Sequence, residues 1–118
     1  MKSDIQIYVD SIRDDLKQLY DAEYTEEQIE ALQNNGEAYD VYSYVTDCLD
    51  VEYTIDSSGN YIGARIYITL GGPTAWIDTR DGYVRGTWGT ERAESWIPYE
   101  IAEIIDGIFD EMYQMIKR

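Results

Sequence analysis

Apolar residues recur at helical spacing through the opening part of the chain and at strand spacing from Leu49 onward. Ile5, Tyr8, Val9, Ile12, Leu16, Leu19 and Tyr20 return every three or four residues behind Ser3, whose hydroxyl suits a helix N-cap, and predict an amphipathic helix. The other side of that helix carries Asp10, Asp14 and Asp21 with Asp15 nearby, relieved only by Arg13 and Lys17. Thr25, followed three residues later by Gln28, makes a capping box that opens a second short helix through Ile29 and Leu32, ended by Asn34, Asn35 and Gly36. Glu26, Glu27 and Glu30 stand on it. Ala38, Val41, Val45 and Cys48 fall on one stripe of a third helical segment, although Tyr39, Tyr42 and Tyr44 would also suit a strand.

Leu49, Val51, Tyr53 and Ile55 alternate with Asp50, Glu52 and Thr54, which predicts a strand turned back by Ser57-Ser58-Gly59-Asn60. In the next strand Ile62, Ala64, Ile66, Ile68 and Leu70 form an apolar, core-facing set, and Tyr61, Arg65, Tyr67 and Thr69 form the opposite set. Gly71-Gly72-Pro73 and Arg80-Asp81-Gly82 are turns that frame strands over residues 74–79 and 83–88. Gly86 within the last strand marks a bulge or a close neighbour. Residues 89–96 read as a polar connection to Pro98, which suits the first turn of a helix. That closing helix carries Ile101, Ile104, Ile105, Ile108, Phe109, Met112, Met115 and Ile116 against Glu100, Glu103, Asp106, Asp110 and Glu111. The expectation is one α+β domain over residues 1–118: N-terminal helices, a four-stranded antiparallel β-meander, and a C-terminal amphipathic helix packed on the sheet.

Charge changes the picture more than any motif does. The net charge is -15 and the sequence pI about 4.1, yet 44% of residues are hydrophobic and twelve are Tyr, so the acids belong to the surface of a folded chain. Such a surface repels nucleic acid and anionic membrane and attracts basic partners. Through Asp56 there are fifteen acids against Lys2, Arg13 and Lys17, a net -12, while the remainder contributes only -3. Acids one helical turn apart, such as Asp10 and Asp14, stand about 6 Å apart along the axis, within a factor of two of phosphate spacing along one nucleic-acid strand.

Chemistry is bounded by what the sequence lacks. There is no histidine, which removes the usual general base, the Ser-His and Cys-His pairs and the common zinc sites. Gly71-Gly72-Pro73 lacks the Lys and Ser/Thr of a phosphate-binding loop, and no run of acids has EF-hand spacing. Asp78 and Asp81 read as strand-end and turn residues, and Cys48, continuing the Val41 and Val45 stripe, as a small buried apolar residue. No catalytic residue, metal site or cofactor is assigned, and the expectation is a protein that is not an enzyme. One cysteine, the absence of a leader at Met1-Lys2-Ser3 and the absence of a long apolar run lead to the expectation of a cytoplasmic protein.

The stretch ITLGGPTAWIDTRDGYVRGTWG, residues 68–89, followed by the acidic C-terminal helix, resembles small acidic proteins carried on plasmids, prophages and transposons of Gram-positive bacteria. Mobile elements of this kind often carry anti-CRISPR and anti-restriction proteins, many of them small, acidic and Tyr-rich. The resemblance implies an inhibitor of host defence acting in a bacterial cytoplasm, and transfers no functional residue.

Two surfaces follow as candidates. The first is a nucleic-acid-mimicking acidic surface, built from Asp10, Asp14, Asp21, Glu23, Glu26, Glu27 and Glu30, that occupies a basic groove of a defence nuclease such as Cas9 or a restriction enzyme. The alternative is a sheet face bearing Tyr61, Tyr67, Trp76 and Trp88 that makes a homodimer or heterodimer.

Overall fold

The computed structural model of the protein describes residues 1–117. Helix α1 (Asp4–Asp21) starts where the Ser3 side chain accepts a hydrogen bond from the Gln6 amide at 3.2 Å. Helix α2 (Glu26–Asn34) is opened by the reciprocal Thr25–Gln28 capping box, and α3 (Val41–Thr46) by a second box between Asp40 and Ser43. That second box settles the ambiguity of the Tyr-rich segment: Asp40 satisfies the first free amides of a helix, so the segment does not extend as a strand.

Strands β1 (Asp50–Ile55), β2 (Tyr61–Thr69), β3 (Thr74–Asp78), β4 (Tyr83–Trp88) and β5 (Glu91–Trp96) form one antiparallel sheet in sequence order. The sheet therefore has five strands and not the four expected. Residues 89–96 are a hairpin arm: Gly89 adopts φ +63° in the turn, and β5 pairs with β4 without interruption from Tyr83↔Trp96 to Trp88↔Glu91. Its inward residues are Ala93 and Ser95, too small and too polar to mark an apolar alternation in the sequence.

Their small size has a structural reason. Helix α1 crosses β4 and β5 so closely that a Cβ placed on Gly86 would stand 2.8 Å from both Ile5 Cδ1 and Val9 Cγ1. Gly86 is thus the close approach and not a bulge, since the registers on both sides of β4 are continuous. Helix α4 (Tyr99–Lys117) lies over β2, and α3 touches both α1 and α4. All of this packing is on one side of the sheet, where Ala64, Ile66, Ala75, Ile77 and Val84 meet Ile5, Val9, Ile12, Leu16, Ile101, Ile105 and Phe109.

The expected core set of β2 is trimmed at both ends. Ile62 and Leu70 are 40% and 51% exposed, so only Ala64, Ile66 and, in part, Ile68 face the core. The pairing jumps from Thr54↔Gly63 to Ile55↔Tyr61, leaving Ile62 unmatched. Beyond that bulge the alternation reverses. Tyr61 accordingly leaves the outer face expected for it and joins Tyr53 and Tyr113 under α4, donating a 2.7 Å hydrogen bond to Asp106 Oδ1. No helix among the described residues is long and apolar enough to cross a membrane.

Candidate interaction surfaces

The acidic set divides once its members are placed. Asp10 is not at the surface: it is 8% exposed and is held between α1 and β5. Lys2 Nζ donates to it at 2.7 Å, Gln6 at 3.0 Å, and Ser95 donates through its hydroxyl. The Arg13 guanidinium stands 3.7 Å away. Burial opposes ionisation of Asp10, but the bonds from Lys2, Ser95 and Gln6 and the charge of Lys2 outweigh it and hold the carboxyl at about 2. Asp10 is therefore a structural tether and is withdrawn from the contact set. Asp14 is exposed but paired with Arg13 at 3.0 Å.

Asp21, Glu23, Glu26, Glu27 and Glu30 are exposed, and among the described residues none has an ion-pair partner. They belong to a longer feature. Between Lys17 and Arg65 the chain carries eleven acids and no Lys or Arg, spanning the end of α1, all of α2 and α3, and β1. Helix α2 has no fully buried residue, Ile29 and Leu32 being half-buried, and it is capped at its start by the Thr25–Gln28 box. Beside this region Asp15 has its pKa raised by burial and by the neighbouring charge of Asp14, against a hydrogen bond from Tyr44.

The side of the sheet away from the helices is uncovered, and its composition is different. The registers lay out two rows across the strands. One runs Glu52, Arg65, Asp78, Tyr83, Trp96, and the other Asp50, Tyr67, Trp76, Arg85, Glu94. Within the second row the Tyr67 and Trp76 ring centroids are 6.0 Å apart, and the first row reaches across to it where the Arg65 guanidinium lies 5.8 Å from the Trp76 centroid. Arg85 donates to Asp78 at 3.1 Å, Asp81 at 3.0 Å and Glu94 at 3.2 Å while covering the Tyr83 ring at 5.1 Å. Its pKa is raised first by the hydrogen bond to Asp81 and then by Glu94, burial opposing. The Tyr67 hydroxyl donates to Glu52, which raises its pKa. Asp78 also caps the turn, accepting from the Arg80 amide at 3.1 Å as its sequence position suggested.

Of the four aromatic residues expected on this face, Tyr67 and Trp76 are there together. Tyr61 is on the helix side, as described above, because of the Ile62 bulge. Trp88 shares the parity of Val84 and Gly86, which face the helices, and lies half-exposed at the sheet corner by Gly72. The sequence reading missed Glu52, Arg65, Asp78, Arg85 and Glu94 as members of one network. Turn positions fix the register, and register plus parity would have grouped Arg65, Asp78 and Arg85; Glu94 was out of reach while β5 was unrecognised.

Among the described residues no three His, Cys, Asp or Glu side chains converge as a metal ion requires. Cys48 is half-buried against the core, and burial first, then Asp50 and Asp47, push its thiol up, away from the reactive thiolate. No protein-family model, curated protein or solved structure matches the chain.

Proposed function

We propose that the protein is a non-enzymatic inhibitor that binds a basic nucleic-acid groove, of the kind found in Cas9-type and restriction nucleases, through an acidic surface centred on α2. The observation that carries this reading is the stretch between Lys17 and Arg65, with eleven acids and no cation. An isolated acidic helix is a common solvated face. Here the carboxylates of five successive acids, Asp21 to Glu30, are exposed and unpaired among the described residues, while Lys2, Arg13, Arg65 and Arg85 pair with acids outside that set. Lys2 and Arg13 hold Asp10, and Arg65, Arg80, Arg85 and Arg92 belong to the sheet or its turns.

Glu26 and Glu30 are one helical turn apart, about 6 Å along the axis, and take over the spacing first ascribed to Asp10 and Asp14. Opposed to a Lys/Arg-lined groove, such a surface gains mainly in encounter rate and selectivity. The resemblance of residues 68–89 to mobile-element proteins supports a defence nuclease as the owner of that groove.

The reading is tested by nuclease inhibition. The protein, added to Cas9–guide complex or to restriction enzymes with their DNA substrates, is expected to slow cleavage at about 0.1 M salt and to lose most of that effect at about 0.5 M, where the Debye length falls below about 5 Å. The triple variant Glu26→Lys, Glu27→Lys, Glu30→Lys is expected to inhibit at least about tenfold less well. Inhibition unaffected by the three reversals would refute the assignment of the surface.

A further inference from the structure

Open clefts in the molecule differ in what lines them. Those on the outer sheet face and beside the start of α4 each hold an arginine of the chain: Arg65 and Arg80 in one, Arg85 and Arg92 in another, Arg80 again in the third. A cleft of about 640 Å³ between α3 and the end of β2 holds no Lys or Arg. Ile68 and Cys48, both packed against the core, give it an apolar base. Tyr39, half-buried, and Tyr42, 54% exposed, line it with Glu37 and Asp47, which are exposed and have no ion-pair partner among the described residues. Glu37 also lines a second cleft of about 390 Å³ that reaches Asp15 and likewise lacks a cation.

We infer that the cleft at α3 receives an arginine side chain of a basic partner protein, its stem against Ile68 and Cys48 and its guanidinium met by the tyrosine rings and the two carboxylates. The chain itself shows what such a set holds. On the outer sheet face Arg85 covers the Tyr83 ring at 5.1 Å while donating to Asp81 at 3.0 Å and to Glu94 at 3.2 Å. The cleft at α3 has the same ingredients, tyrosine rings and two carboxylates, and no cation of its own. Arginine fits them better than lysine, because its planar guanidinium is less strongly hydrated, stacks on aromatic faces and donates to two carboxylates at once.

Charge and size both favour that occupant. The α3 side of the cleft belongs to the stretch between Lys17 and Arg65, so its surroundings in the chain are acids without a base. Its volume lies within the range of ligand-binding clefts and leaves room for one long side chain with backbone on either side. The inference rests on the function proposed above for the owner of the arginine, a Lys/Arg-lined groove. It adds a contact of a different kind: the exposed acids of α2 act through their field, whereas the cleft holds one side chain by fit, and buried arginines are among the residues that carry most binding energy at interfaces.

A nuclear magnetic resonance titration of the full chain tests it, with the capped peptide Gly-Arg-Gly as probe and the same peptide carrying citrulline, the uncharged isostere, or norleucine in place of arginine. The arginine peptide is expected to give saturable shifts at Tyr39, Tyr42 and Ile68, and the other two to bind at least about tenfold more weakly. Tyr42→Ser and Glu37→Gln, both at exposed positions outside the core, are each expected to raise the dissociation constant several-fold with an unchanged circular dichroism spectrum. Shifts that spread over the acids of α2 without saturating overturn the inference, as do equal binding of the norleucine peptide or variants that bind as the wild-type chain does. Nuclease inhibition keeps the two proposals apart. Saturable arginine binding in the cleft by a chain that inhibits no nuclease upholds the cleft and refutes the function, whereas inhibition that Tyr42→Ser and Glu37→Gln leave at full strength, with no peptide bound, refutes the cleft alone.

Discussion

Asp10 shows how far one carboxylate's role depends on what it touches. Its folded-state pKa, lowered from 3.8 to about 2, means that its ionised form is favoured by folding. The stabilisation is fully present above the unfolded value and is lost as pH falls through about 2, and it amounts to about 2 kcal/mol. Asp10→Asn is thus expected to lower stability at neutral pH, with the gap from the wild-type chain narrowing between about pH 4 and pH 2. Urea denaturation across that range measures it; a gap constant down to pH 2 would show that the Lys2 and Ser95 contacts do not act through the charge. Gly86 is the other decisive residue. Gly86→Val puts branched carbons where Ile5 and Val9 already stand at 2.8 Å from the first of them, and is expected to cost about 1–3 kcal/mol or to dislodge α1, read as a fall in the thermal midpoint.

Elements differ in how firmly they are held. Helices α1 and α4 bury apolar stripes against the sheet, whereas α2 has no fully buried residue and only Ile29 and Leu32 half-buried. Thr25→Ala removes one partner of the α2 capping box, worth about 1 kcal/mol to the helix itself. Amide exchange in α2 should accelerate while the global unfolding midpoint barely moves, since opening α2 exposes no core. A fall of the global midpoint by the full amount would mean that α2 is part of the cooperative unit. The same contrast explains what the sequence disclosed. Strong stripes and explicit caps made α1, α2 and α4 legible, and glycine turns made β2, β3 and β4 legible. Strand β5 was not, because packing against α1 requires Ala93 and Ser95 to be small, and a strand with small inward residues carries no apolar alternation. Tyr61 was misplaced because a one-residue bulge at Ile62 inverts parity, and nothing in the residue types announces a bulge. The acidic surface was legible as composition; the burial of Asp10 within it required knowing that Ser95 lies opposite α1.

At the scale of the whole molecule the charge is sorted. One stretch of chain runs from the end of α1 through β1 without a Lys or Arg, its last acids Asp50 and Glu52 reaching the outer sheet face, where Arg, Asp, Glu, Tyr and Trp form a mixed network. Self-repulsion among the acids is a cost that salt relieves, so the thermal midpoint is expected to rise between about 0.05 and 0.5 M NaCl, and an unchanged or falling midpoint would show that the ion pairs around Arg85 and Asp10 dominate instead. The central claim is that the cation-free region competes with nucleic acid for a basic groove, and the most direct measurement is competition. The immobilised protein is loaded with nucleic-acid-binding proteins from a bacterial lysate at about 0.1 M salt and then washed with duplex DNA. The account predicts that DNA releases the bound proteins and that a column of the Glu26→Lys, Glu27→Lys, Glu30→Lys variant retains none of them. Retention that DNA does not disturb, or that the reversed column reproduces, would contradict it.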